Sequence, residues 1–123
     1  LQGAEALFYP TAIGSEPPPA PPIESRGHWQ RTMQGHAAAN MAPLIASNRI
    51  GKEVFGASDI TFYGSSFIAD ETGEKVAEAS RDAQEVITAS FDLDEVAKAR
   101  RAWGLFRDRR PELYGALAGH DGT

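Results

Sequence analysis

The sequence predicts an α/β fold in which one sheet carries helices on a single face. Three observations predict it. Ala6 to Tyr9 is a short apolar stretch that ends at Pro10, the form of a buried strand. Trp29, Met33 and Ala37 recur four residues apart, which on a helix makes one apolar stripe. Asp70-Glu71-Thr72-Gly73 is turn chemistry set between β-favouring runs. A chain that mixes strands and helices without an internal repeat packs its helices on a sheet, and no element here is left to cover the sheet's other face.

The elements follow in order. Leu1 and Gln2 read as the last turn of a helix, with Gly3 as the left-handed residue just past it, so the domain is expected to begin upstream of Leu1. After the first strand, Thr11 to Gly27 is a long loop containing Pro17-Pro18-Pro19-Ala20-Pro21-Pro22, a stiff surface spacer with no backbone donors at its prolines. Ser25 is placed to cap a helix running to about Asn40. The small residues Gly35, Ala37, Ala38 and Ala39 let that helix lie close to a sheet. Met41 to Ser47 is a second buried strand, left through a turn at Asn48-Arg49-Ile50-Gly51.

Lys52 to Asp59 reads as loop, Ile60 to Ala69 as strand around Gly64, and Lys75 to Ala79 as its partner. Glu85 to Phe91 alternates, with Ile87, Ala89 and Phe91 on one face, so a further strand is expected there. Asp92 caps the last helix, and Glu95 sits where it would reach back in a capping box. Lys98, Arg100 and Arg101 suit that helix's last turn, and Gly104 ends it. The tail is Leu105 to Thr123.

Composition narrows the function classes. The 123 residues are at most one domain. Twelve basic and 17 acidic residues give a formal net charge of −5, which argues against a nucleic-acid binder. No cysteine is present, so this chain holds neither a disulfide nor a thiol nucleophile. No apolar run approaches the roughly 18 residues of a membrane helix. A cytoplasmic location is expected.

Other signals point to packing. His28 and His36 are eight apart and His120 lies in the tail, so no pair has the i, i+4 spacing of a helical zinc site. Trp29 and Trp103 read as core or interface residues. Ser65-Ser66 follows Gly64, but no Gly-x-Ser-x-Gly elbow surrounds it. The basic run Lys98, Arg100, Arg101, Arg107, Arg109 and Arg110 is interleaved with Asp108 and Glu112, which suits ion pairs within and between subunits.

Several blocks carry a family resemblance, in family order and over nearly the whole chain. They are Tyr9-Pro10-Thr11-Ala12-Ile13-Gly14-Ser15-Glu16-Pro17, His28-Trp29-Gln30-Arg31, Met33-Gln34-Gly35-His36-Ala37, Ala46-Ser47-Asn48-Arg49-Ile50-Gly51-Lys52-Glu53, Ile60 to Ala69 and Trp103 to Tyr114. They resemble the N-carbamoylputrescine amidase family of the nitrilase superfamily. The resemblance implies part of an α-β-β-α sandwich, with residues 1–104 as the C-terminal half of one carbon–nitrogen hydrolase domain and 105–123 as a tail at a subunit interface. Two departures stand at turns. The Pro17 to Pro22 run replaces a more polar loop, and Phe55 to Asp59 is shorter than in plant members, with Asp70-Glu71 where Gly-Pro is common.

The family reaction is hydrolysis of a ureido group by a Glu–Lys–Cys triad, without a metal or an organic cofactor. All three triad residues are expected upstream of Leu1, and this chain would be inactive alone. A thiolate attacks the ureido carbon and expels ammonia, and water then releases the enzyme-bound group. Residues of this chain are expected on the substrate-specificity side. Glu16 is the candidate carboxylate for the ammonium of a small ureido substrate. Thr11, Ala12 and Ile13, at a strand's carboxyl end, are expected in the pocket wall. Arg107 to Tyr114 is expected to pack on a neighbouring copy in a homo-oligomer. The alternatives are another ureido or amide hydrolase of the superfamily, or a non-catalytic remnant or oligomerisation module.

Overall fold

The computed structural model describes residues 2–15 and 23–120. Six strands and two helices follow one another as β1 (Leu7–Thr11), α1 (Arg26–Asn40), β2 (Leu44–Asn48), β3 (Lys52–Phe55), β4 (Ser58–Thr61), β5 (Phe67–Ala69), β6 (Lys75–Glu78) and α2 (Leu93–Trp103). Four strands form one sheet in the order β1-β2-β5-β6, and β3-β4 is a separate hairpin. β1 and β2 run parallel, and the remaining pairs are antiparallel. Among the described residues no helix is long and apolar enough to cross a membrane.

The core lies between α1 and one face of this sheet. Trp29 and Ala37 of α1 meet Leu44, Ala46, Phe67 and Ala69, with Leu7, Tyr9, Ile13 and Met33 packed around them. The four-residue stripe on α1 is therefore the buried face. Trp29 and Phe67 meet edge to face, with ring centroids 5.6 Å apart. Phe67 and Leu44 are fully buried, and each such side chain contributes about 1.5–3 kcal/mol of burial. Because side chains alternate along a strand, Phe8, Ile45 and Ile68 form a row on the opposite face. Phe8 there is 71% exposed.

A polar seam joins α1 to the β5–β6 hairpin. Gln30 is buried, and its Nε2 donates to the Ser65 carbonyl (3.2 Å) and to Glu78 Oε1 (2.6 Å). Lys75 Nζ donates to both Gln30 Oε1 and Glu78 Oε2. Partial burial opposes the charge on Glu78. The hydrogen bonds from Lys75 and Gln30, with the charges of Lys75 and Arg26, outweigh it and hold the carboxyl below its ordinary range. Gln34 Nε2 donates to the Gly73 carbonyl (2.8 Å), so the turn between β5 and β6 also rests on α1.

The helix ends follow the sequence in part. Asp92 caps α2 by accepting from the Asp94 and Glu95 backbone N–H groups, and Gly104 closes it in the left-handed conformation. Glu95 does not complete a capping box; its carboxylate pairs with Lys98. α1 starts beside Ser25 as expected, but the Ser25 side chain makes no cap bond. α1 ends at Asn40 as expected, and Met41, at φ 49°, is the left-handed residue that closes it. Gly3 is left-handed as expected, and Leu1 lies outside the described residues.

Four strand expectations are corrected. β1 runs through Pro10 to Thr11, because it is the edge strand, where a missing N–H is tolerated. The expected loop from Lys52 to Asp59 is the hairpin β3–β4, turned by Gly56 at φ 60° and Ala57. All of β3 is exposed, so no hydrophobic alternation marks it in the sequence. Ile60 to Ala69 is two strands, since Gly64 and Ser65 are both left-handed and break the ladder between them. Glu85 to Phe91 forms no strand: Val86 is 90% exposed, and no neighbouring strand pairs with this segment.

Arg100 ties α2 to the end of α1 and to the chain before β1. Arg100 Nε and Nη2 donate to the Met41 carbonyl at 3.0 and 2.8 Å, and Nη1 donates to the Ala4 carbonyl at 3.2 Å. A cation at the C-terminus of α1 also suits its dipole. Replacing Arg100 with Ala should lower stability by about 2 kcal/mol in denaturant titration, and Lys, without the planar fork, should recover only part of it. Glu78→Gln should remove an acid-sensitive contribution. The depressed carboxyl stabilises the fold above the ordinary carboxylate range and loses that effect as pH falls through it. The melting temperature of the variant should therefore fall less steeply on acidification than that of the parent.

Candidate functional site

Parallel pairing puts the carboxyl ends of β1 and β2 side by side, with Thr11 opposite Asn48. Chain segments leaving such ends form the usual rim of an α/β ligand site. Three segments meet here: Thr11–Ser15 after β1, Asn48–Gly51 after β2, and Thr61–Ser66 between β4 and β5.

Asn48 holds them together. Its Oδ1 accepts from the Ile13 N–H (2.9 Å) and faces the Thr11 hydroxyl (3.1 Å). Its Nδ2 donates to the carbonyls of Ile13 (3.1 Å) and Gly64 (2.9 Å). The Thr11 hydroxyl shares its one proton between Asn48 Oδ1 and the Ser47 carbonyl. Ser66 Oγ accepts from the Asn48 N–H (2.9 Å) and donates to the Asn48 carbonyl (3.3 Å). Gly64 N–H closes the ring on the Arg49 carbonyl.

The rim also pairs with the hairpin. Gly14 bridges Phe62, the Ser15 N–H donates to the Thr61 carbonyl (2.9 Å), and the Thr61 N–H donates to Ser15 Oγ (3.0 Å). A Cβ on Gly14 would collide with the Thr61 carbonyl, so only glycine permits this approach. Gly64 is doubly constrained, by φ +55° and by the Arg81 carbonyl, which a Cβ there would strike. Tyr63 is buried, and its hydroxyl accepts from the Ser25 N–H (3.1 Å) and donates to the Ile23 carbonyl (3.3 Å).

The charges around the rim are largely paired. Arg49 stacks over Phe62 at 4.7 Å and pairs with Glu53. Lys52 pairs with Asp59 at 2.8 Å, and Arg81 with Glu24 at 3.2 Å. An open depression of about 390 Å³ lies beside the clamp, lined by Asn48, Ser66, Ser80, Gln84 and Glu85 among others. Hydrogen bonds from the Ser80 side chain and backbone hold the Glu85 carboxyl below its ordinary range. Among the described residues no group of three His, Asp or Glu side chains is arranged to hold a metal ion.

The candidate residues fare differently. Thr11 is half-buried and spends its hydroxyl on the clamp. Ala12 is exposed at the rim, and Ile13 packs against the core. Glu16 and Pro17 to Pro22 lie outside the described residues. Asn48, Tyr63 and Ser66 escaped the sequence reading. Asn48 is visible there only as a turn residue, and its partners stand 35 to 37 positions before it and 16 to 18 after it. His36 Nδ1 lies 3.1 Å from the Tyr9 hydroxyl, and Trp103 is 69% exposed. The tail's basic residues are met within the chain: Arg107 by Asp108 (2.6 Å), Arg110 by Glu112, and Arg109 by the Phe106 carbonyl.

A carbon–nitrogen hydrolase family model matches residues 1–101. The chain is 60% identical over 127 aligned positions to the N-carbamoylputrescine amidase of Arabidopsis thaliana, covering all of this chain and 42% of that protein. It is 59% identical over 114 positions to a citrullinase of Francisella tularensis, covering 93% of this chain and 40% of that protein. The crystal structure of a carbon–nitrogen hydrolase from Helicobacter pylori G27 superposes with a TM-score of 0.84 at 38% identity, over 97% of this chain and 42% of that one. The chain thus spans about two-fifths of the length of the relatives it matches. With a family model over most of its length and a fold that superposes on a carbon–nitrogen hydrolase, the chain belongs to the carbon–nitrogen hydrolase family, as part of its α-β-β-α sandwich.

Proposed function

We propose that the protein carrying this chain is an amidohydrolase of ureido compounds, with N-carbamoylputrescine as substrate and putrescine, carbon dioxide and ammonia as products. The observation that carries this reading is the 60% identity to an N-carbamoylputrescine amidase across the whole of this chain. In the reading, residues 1–104 are half of one hydrolase domain and supply its specificity side. The chain has no cysteine, so the thiol nucleophile of this reading lies outside these 123 residues, and the resemblance implies the same for the Glu and Lys of the triad. The thiolate attacks the ureido carbon, the terminal nitrogen takes up a proton and leaves as ammonia, and water cleaves the resulting S-carbamoyl bond to release a carbamate and return the thiol. Loss of carbon dioxide from the released carbamate then frees the amine.

The substrate's far end is an ammonium on a four-carbon stem. In this reading Thr11, Ala12 and Ile13 border the stem, and the Glu16 carboxylate takes the ammonium through a charge-assisted hydrogen bond. The support is local: Ser15, the residue before Glu16, is fixed to Thr61 through two hydrogen bonds. The tail is a subunit contact in the same reading, because Leu113 and Tyr114 in Arg107 to Tyr114 are 66% and 42% exposed. Citrulline is the second candidate substrate, since the match to a citrullinase is nearly as strong.

In the full-length enzyme, Glu16→Gln should raise KM for N-carbamoylputrescine about 10- to 100-fold with kcat changing far less, the signature of lost substrate binding. An unchanged KM would remove Glu16 from the site. A parent enzyme whose kcat/KM favours citrulline would transfer the assignment to that substrate.

A further inference from the structure

We infer that Asn48 is a positioning residue for substrate selectivity: it sets the rim Thr11–Ile13 without touching substrate. The inference rests on the proposed function, in which that rim borders the substrate stem. Asn48 is the last residue of β2, and Thr11, its register partner, is the last of β1. The Arg49 N–H still donates to the Thr11 carbonyl, and the chain then turns away through Gly51, so the β2 backbone does not reach Ile13. The Asn48 amide takes the place of that backbone. It accepts from the Ile13 N–H and donates to the Ile13 carbonyl, holding both polar groups of one rim residue.

The remaining capacity of the amide is also spent within the chain. A side-chain amide has two donors and one acceptor oxygen. The second N–H goes to the Gly64 carbonyl, and the oxygen also meets the Thr11 hydroxyl. No polar group of this side chain is left for a ligand. Its backbone is held in turn by Ser66 Oγ, on both N–H and carbonyl. The Tyr63 N–H also donates to the Ile13 carbonyl, but the Ile13 N–H and the Thr11 hydroxyl take their positions from a side chain that is itself fixed at both ends. Loosening it shifts the wall against the substrate stem and leaves the reacting ureido end alone.

The test uses the full-length enzyme with two substrates, N-carbamoylputrescine and N-methylurea, which carries the same reacting ureido group without the four-carbon stem. The variants are Asn48→Asp, which sets an oxygen against the Ile13 and Gly64 carbonyls, Asn48→Ala, and Ser66→Ala, which frees the Asn48 backbone. The expected result is a rise of about tenfold in KM for N-carbamoylputrescine with a much smaller change in kcat, and a similar fall in preference over N-methylurea, which does not reach the stem wall. An unchanged preference overturns the inference. So does an equal loss on both substrates that follows a lowered melting temperature, since that is a structural role only. If neither Asn48 variant folds, the preference ratio of Ser66→Ala decides. The parent is measured first. One that does not prefer N-carbamoylputrescine removes the proposed function and this inference with it, whereas a selective parent with equally selective variants removes the inference alone.

Discussion

β1 lies parallel to β2, from Leu7 beside Leu44 to Thr11 beside Asn48. Two parallel strands cannot be joined by a tight turn, so the chain must travel back along the sheet before the second strand begins. α1 makes most of that return. Its length is used twice: it covers the distance, and its Trp29–Met33–Ala37 stripe closes the core over Leu44, Ala46 and Phe67. The same geometry sets both strand ends at one edge of the sheet. The rim, the clamp and the pairing of Ser15 with Thr61 all exist because those two ends are neighbours.

Burial falls mainly on one face as a consequence, although Ile68 of the opposite row is buried as well. α1 covers the face that carries Leu44, Ala46, Phe67 and Ala69, while the row through Phe8 and Ile45 faces away. In an α-β-β-α sandwich that second face is where two sheets meet, and the apolar character of Phe8, Ile45 and Ile68 fits such a contact. α2 adds little to the core, with Val96 its one buried residue. It is held chiefly through Arg100, whose guanidinium reaches carbonyls at the end of α1 and before β1.

Polar groups bring the precision. Gln30, Asn48 and Tyr63 each link segments far apart in sequence, and each does so by meeting backbone groups that would otherwise be unpaired next to the core. An unpaired buried carbonyl or N–H costs more than an ordinary hydrogen bond contributes, so these side chains specify one arrangement of the loops where apolar contacts would accept several. At the rim this matters for function. The clamp fixes Thr11 and Ile13, which border the substrate stem in the proposed function.

The sequence by itself determined the elements whose signals are local. The α1 stripe, the Asp70–Gly73 turn, and the Asp92 and Gly104 ends of α2 need only neighbouring residues to be read, and the family resemblance rests on blocks of consecutive residues. The absence of a thiol nucleophile among these 123 residues is likewise plain from composition. Tertiary structure alone decided the rest. The exposed β3–β4 hairpin has no burial pattern to reveal it, and the alternation in Glu85 to Phe91 has no strand beside it to pair with. Asn48 reads as a turn residue until folding brings Thr11, Ile13 and Gly64 to its amide. Hydrogen bonds that join residues 16 to 37 positions apart are set by sheet order, and the parallel register of β1 and β2 is what brings their ends together.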